Sequence, residues 1–133
     1  MFASSQEPGG GEAKLMTDGE QTTIWHTMYS ITLAKYPHWV DFDAGEQKLM
    51  KGFSLLPRQD GQNGWIKDFE IYVSNDGQTW GEPVCKGSFE CNADLKRVEF
   101  EHPVKARYIR LRALSEQQGQ DFASAAEFSL IAD

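Results

Sequence analysis

The 133 residues are 40% apolar and 12% aromatic, enough for one core of ordinary size and too much for a disordered chain. A formal net charge of −7 opposes phosphate backbones and anionic headgroups, which argues against nucleic acid and membrane lipid as partners. No apolar run approaches the roughly 20 residues that a membrane-spanning helix needs.

In chain order, residues 4–12 are Ser, Gln, Glu, Pro and Gly and read as a loop. A second loop runs from Thr17 through Asp18, Gly19, Glu20 and Gln21 to Thr22. Short alternating segments follow. His38, Val40 and Phe42 alternate with Trp39, Asp41 and Asp43, and Phe53 and Leu55 flank Ser54. Phe69, Ile71 and Val73 alternate with Asp68, Glu70 and Tyr72. Val98 and Phe100 alternate with Arg97, Glu99 and Glu101, Ile109, Leu111 and Ala113 alternate with Tyr108, Arg110 and Arg112, and Phe128 and Leu130 close the series. This period of two puts one face in a core and the other toward water or a second layer. The turns are written in their own chemistry: Ser74-Asn75-Asp76-Gly77 and Asp60-Gly61-Gln62-Asn63-Gly64 supply residues tolerant of tight reversal. Pro57, Pro83 and Pro103 are expected to mark strand ends. No sustained helical stripe appears. Many short strands between regular turns predict an all-β chain, an antiparallel sandwich or barrel. The length fits a single domain over 1–133. The opening residues carry neither a basic end nor an apolar stretch, so the chain is either cytosolic or a piece excised from a larger protein that carried the signal, and excision is the favoured expectation.

Cys85 and Cys91 would lie roughly 20 Å apart in an extended segment, so two free thiols are expected. Hydrolytic motifs, phosphate loops and the Rossmann glycine pattern are all missing, and most acidic residues fall in loops or on outward strand positions; a binding function is expected rather than an enzyme. A neutral sugar asks for a few convergent polar side chains beside an aromatic platform. His26, Arg58 and Asn63 offer the polar groups, and Tyr29, Trp65 and Phe122 are aromatics in or near loops. Singly, each has an ordinary structural reading as a packed ring or a solvated charge. Asp18, Thr23 and Glu127 are oxygen donors of the kind calcium takes, without the spaced acids of an EF-hand loop.

Three strings combine these features: Asp18-Gly19-Glu20-Gln21-Thr22-Thr23-Ile24-Trp25-His26-Thr27, then Leu56-Pro57-Arg58-Gln59-Asp60-Gly61-Gln62-Asn63-Gly64-Trp65-Ile66-Lys67, then Ile71-Tyr72-Val73-Ser74-Asn75-Asp76-Gly77-Gln78-Thr79-Trp80. With Ala106-Arg107-Tyr108-Ile109-Arg110-Leu111 and the terminal Ala126-Glu127-Phe128, the chain resembles the coagulation factor V/VIII type C (discoidin-like) domain, and within it carbohydrate-binding module family 32. The resemblance implies an antiparallel β-sandwich jelly roll of the galactose-binding-domain type. It implies a non-catalytic module that recognises galactose or N-acetylgalactosamine through His26, Arg58 and Asn63, with Phe122 as stacking ring and Tyr29 as a further aromatic. It implies a structural Ca2+ held by side chains of Asp18, Thr23 and Glu127 and by carbonyls of Leu15, Glu20 and Ala126. The implied partners are galactose-containing glycans and, in cis, the enzyme domains of a parent glycoside hydrolase. The implied setting is secreted, periplasmic or cell-surface, with the signal on the parent chain. Lipid- or protein-binding relatives with the same fold are the alternative; they expose apolar loop tips beside basic residues, whereas the loops here are polar and the charge is negative.

Overall fold

The computed structural model describes residues 2–29 and 34–133. The strands are β1 (Phe2–Ala3), β2 (Trp25–His26), β3 (His38–Leu56), β4 (Asp68–Ser74), β5 (Cys85–Ser88), β6 (Lys96–Ala113), β7 (Ser124–Ala125) and β8 (Glu127–Ala132), and a 3-10 turn spans Ala13–Thr17. All pairings between strands are antiparallel: β1-β3-β6-β4-β5 run side by side, β8 pairs with β3, and β2 pairs with β7.

Two long strands make the sandwich. In β3, His38–Asp43 pair with Tyr108–Ala113, and beyond these lies β4; Gly52–Leu55 pair with Lys96–Glu99, and on the other side lies β8. Register shifts between Asp43 and Lys48, and between Met50 and Gly52, separate the halves and let the β3–β6 ribbon cross from one layer to the other. Gly52 is required at the second shift, because a Cβ there would meet the Val98 carbonyl oxygen at 2.2 Å. Pro103, expected at a strand end, instead lies inside β6, within the stretch between Glu99 and Val104 that the same shift leaves without partners on β3. A proline lacks the N–H that the ladder would ask of it, so an unpaired bulge accommodates it.

The alternating residues bury as the sequence predicts. Val40, Phe53, Leu55, Phe69, Ile71, Ile109 and Leu111 are all buried. Phe42 stacks on Phe128 at 4.2 Å between ring centroids, Phe53 meets Phe69 edge-on at 5.7 Å, and Phe69 stacks on Phe89 at 4.2 Å. These rings join the two layers, and each contributes on the order of 1.5–3 kcal/mol by leaving water. The 3-10 turn, which the sequence did not announce, adds Met16 to the core at full burial. Cys85 and Cys91 are free thiols, and burial pushes the Cys85 thiol up from its ordinary pKa.

Because the ribbon folds back on itself, both ends of β3 reach the same rim. There the His38 ring donates to the Asp121 carbonyl, and the Leu56 carbonyl accepts from the Ala126 N–H. The loops of residues 4–12, 57–67 and 114–123 gather at this rim.

Candidate carbohydrate-binding site

At the rim, His26, Tyr29, Arg58, Asn63 and Phe122 line one open cavity of about 490 Å3. Strand β2 brings His26. The Arg58 and Asn63 loop follows β3 directly, and Phe122 precedes β7, which pairs with β2 through His26 and Ser124. Residues distant in sequence thus meet through one short strand pair.

Each polar group is pinned from behind. The His26 Nδ1 lies 2.6 Å from the Thr27 carbonyl oxygen, so that nitrogen carries the hydrogen and Nε2 is the ring's acceptor. Among the described residues, Nε2 has no hydrogen-bond partner. Burial, opposed in part by the Thr27 carbonyl and reinforced by the nearby Arg58 charge, holds the His26 pKa below its ordinary 6.5, so the ring is neutral near pH 7. Arg58 donates from Nε to Asp60 Oδ1 at 2.6 Å, which lowers the Asp60 pKa and leaves the two terminal amino groups of the guanidinium without a partner among the described residues. The Trp65 indole donates to the Arg58 carbonyl at 2.9 Å. Trp65 is buried and stands behind Arg58 rather than on the cavity wall.

Asn63 is exposed, and its own carbonyl accepts from the Ser124 hydroxyl at 2.7 Å. Gly64 then turns with φ +86, and its carbonyl accepts from the Ser124 N–H. A Cβ on Gly64 would lie 2.7 Å from that nitrogen, so only glycine lets the two segments approach this closely. Phe122 is half-buried, its ring 5.2 Å from the His26 ring, and the Tyr36 hydroxyl donates to its carbonyl. Tyr29 is 56% exposed, with its ring edge-on to His26 at 4.9 Å.

Two contributors had no mark in the sequence. The turn Glu7–Gly11 forms a wall of the cavity, together with Ile24. It straps β2: the Glu7 N–H donates to the His26 carbonyl, the His26 N–H donates to the Gly11 carbonyl, and Glu7 Oε1 accepts from the Tyr29 N–H. Glu116, 2% exposed, accepts from the N–H groups of Gly64, Gln118 and Gln120 and so clamps the Asn63 loop to the Phe122 loop.

The expected metal ligands lie along the next loop. Asp18 caps the 3-10 turn that contains Leu15, and its carboxylate accepts from the Glu20 N–H and the Thr23 hydroxyl. Glu127 follows Ala126 at the start of β8, and its carboxyl lies against that of Asp18. The Glu127 Oε1 is buried without a hydrogen-bond partner. Burial, and then the Asp18 carboxylate, push the Glu127 pKa up, while the Thr23 hydroxyl and the Glu20 N–H hold Asp18 down. Two adjoining carboxylates with a hydroxyl and an orphaned oxygen form a hard-oxygen donor set that fits a calcium ion.

The F5/8 type C domain family matches residues 2–128. A galactose oxidase of Gibberella zeae is 42% identical over 123 residues, which cover 91% of this chain and 18% of the oxidase. The module CpGH89CBM32-5 from Clostridium perfringens, solved in complex with GalNAc-β-1,3-galactose, is 34% identical with a TM-score of 0.89, over 98% of this chain and 93% of that one. The family 32 carbohydrate-binding module of Clostridium perfringens NanJ, solved in complex with galactose, is 31% identical with a TM-score of 0.86, over 97% and 90% of the two chains. A jelly-roll sandwich, a rim cavity built by its loops and these matches lead to one assignment: the chain belongs to the F5/8 type C domain family and, within it, to the family 32 carbohydrate-binding modules.

Proposed function

We propose that this domain is a non-catalytic module that binds a terminal galactose or N-acetylgalactosamine residue in the rim cavity and holds an attached carbohydrate-active enzyme against its glycan outside the cell. One observation carries this reading: His26, Arg58, Asn63 and Phe122 converge on a single open cavity. The NanJ and CpGH89CBM32-5 complexes, whose ligands contain galactose, support the same sugar class. The chain spans 18% of the oxidase it matches, which supports a role as one part of a longer protein.

The chemistry follows from the donors and acceptors. The axial O4 of galactose leaves one ring side a flat C–H patch, which Phe122 covers. The free guanidinium amino groups of Arg58 donate to O4 and its neighbour, the His26 Nε2 accepts from one of these hydroxyls, and the Asn63 amide supplies both a donor and an acceptor. An equatorial O4 leaves part of this set unpaired, at a cost of about 1–3 kcal/mol for each lost bond. An open cavity of this kind holds one sugar weakly, near millimolar or about −4 kcal/mol, and tethering to an enzyme raises its effective concentration at the glycan. We further propose a structural Ca2+ held by Asp18, Thr23 and Glu127 side chains with the carbonyls of Leu15, Glu20 and Ala126. Its charge would compensate the paired carboxylates and fix the Asp18 loop to β8.

Titration calorimetry with methyl galactoside and methyl glucoside tests the reading. The expected result is measurable galactoside binding, glucoside binding at least tenfold weaker, and loss of heat in Arg58→Ala, where a charged hydrogen-bond donor worth about 1.5–3 kcal/mol is gone. Equal affinity for the two sugars, or unchanged binding in Arg58→Ala, overturns it.

A further inference from the structure

On the outer sheet face, the ends of β3 and β6 and the turn after β4 enclose a second cavity of about 350 Å3, lined chiefly by Asp41, Asp43, Gly77, Trp80, Tyr108 and Arg110. We infer that this cavity is a second saccharide site, which takes one neutral hexopyranose unit against Trp80 and Tyr108.

The floor is rigid before any ligand arrives. Arg110 grips Asp41 with both arms of its fork, at 2.6 and 2.9 Å, and its guanidinium lies 4.3 Å from the Trp80 ring and 5.3 Å from that of Trp39. Arg107 grips Asp43 in the same way, at 2.8 and 2.9 Å, and lies 5.1 Å from the Tyr108 ring. Gly77 packs on Tyr108, where a Cβ would stand 3.5 Å from Cζ, so the turn that carries Trp80 rests on the sheet. Side chains fixed in this way lose little freedom when a ligand binds.

The same contacts select the occupant. Each carboxylate is matched by an arginine, so the floor offers no net charge to an ion. Arg107 keeps Asp43 ionised, with its pKa lowered to about 2, so this balance holds across the physiological range. Arg110 already occupies a face of Trp80, which leaves no empty cage for an ammonium group. A purely apolar ligand would have to cover two ion pairs. A sugar meets all three conditions: it is uncharged, its hydroxyls find carboxylate lone pairs and guanidinium hydrogens, and its C–H face finds half-exposed rings. Asp41 and Asp43 lie three to five positions along β3 from His38, which is tied at the rim, so this cavity opens roughly 10–17 Å down the strand from the first.

The four tryptophan indoles make a direct test. Trp65 donates to the Arg58 carbonyl and reports the rim, whereas Trp80 reports the sheet. Two-dimensional nitrogen–proton spectra of the whole domain are recorded with methyl galactoside, methyl glucoside and methyl mannoside in turn. The expected result is a saturating shift of the Trp80 indole with at least one of them. That shift keeps its midpoint in Arg58→Ala, while any response of Trp65 is lost. In Trp80→Ala the Asp41 and Tyr108 amides cease to respond, and an undiminished Trp65 response shows that this variant is folded. A Trp80 indole that stays still with all three sugars overturns the inference, as does a Trp80 shift that vanishes in Arg58→Ala. Movement of Trp80 with no movement of Trp65 supports the sheet site and counts against the rim proposal alone.

Discussion

In the proposed rim site, His26 is the residue whose protonation would change what the cavity offers a sugar. As the neutral ring it donates from Nδ1 to Thr27 and keeps Nε2 as an acceptor; the protonated ring has two donors and places a second positive charge near Arg58. Burial first, and the Arg58 charge besides, hold its folded pKa below 6.5. Galactoside affinity is therefore expected to stay level from pH 8 down through pH 7. It then weakens as the pH falls through the depressed pKa, approaching about tenfold per pH unit for one linked proton. Stability has the same sign. The unfolded chain takes up the proton first, so stability is present above pH 6.5 and is lost between that value and the folded pKa. His38, also depressed by burial, adds to the loss. Calorimetric titrations from pH 8 downward check the binding limb; an affinity that rises as the pH falls contradicts the assigned tautomer.

At the level of elements, the rim is a set of loops held by buried polar clamps, and Glu116 is the principal one. Its carboxylate gathers N–H groups from Gly64, Gln118 and Gln120. Glu116→Gln keeps the size but turns an amide NH2 against at least one of those donors, which costs about 1–3 kcal/mol. The Asn63 and Phe122 loops are then free to part. The expected outcome is a lower melting temperature and weaker galactoside binding, read by circular dichroism and calorimetry; unchanged affinity would show that the clamp serves stability alone. The clamp also shows where sequence reading stops. Strands such as Asp68–Ser74 were legible because a side chain that alternates between core and water leaves a period of two. The residues proposed to face the sugar stood out only when the loop strings were seen together with a known family, and the fold brings them to one cavity. Glu116 and the Glu7–Gly11 strap were not, because their bonds run to main-chain N–H and C=O groups, which every residue carries and no spacing marks. Pro103 misled for a related reason: proline signals a missing ladder bond, which a strand end and an internal bulge satisfy equally.

Across the whole molecule, the proposed calcium site ties the chain's opening third to its last strand. Without a cation, the Glu127 Oε1 is buried and unpaired beside another carboxylate, an arrangement that costs stability in a chain already at −7. A bound divalent ion would reverse that cost, and only in the folded state, where the Asp18 loop and β8 lie together. With free calcium at a hundred times the dissociation constant, linkage supplies about 2.7 kcal/mol, which for a domain of this size corresponds to roughly 10 °C in Tm. A chelator in excess is expected to lower the melting temperature by about that amount, and restored calcium to recover it. In Asp18→Asn the chelator is expected to have little further effect. The consequence also reaches the sugar, since the chain leaves Thr23 for Ile24 and His26, both on the wall of the rim cavity. Chelation should therefore weaken galactoside binding along with stability. A melting curve that does not move in excess chelator removes the metal from this account, and the Asp18–Glu127 contact must then be held by a proton shared between the carboxyl groups.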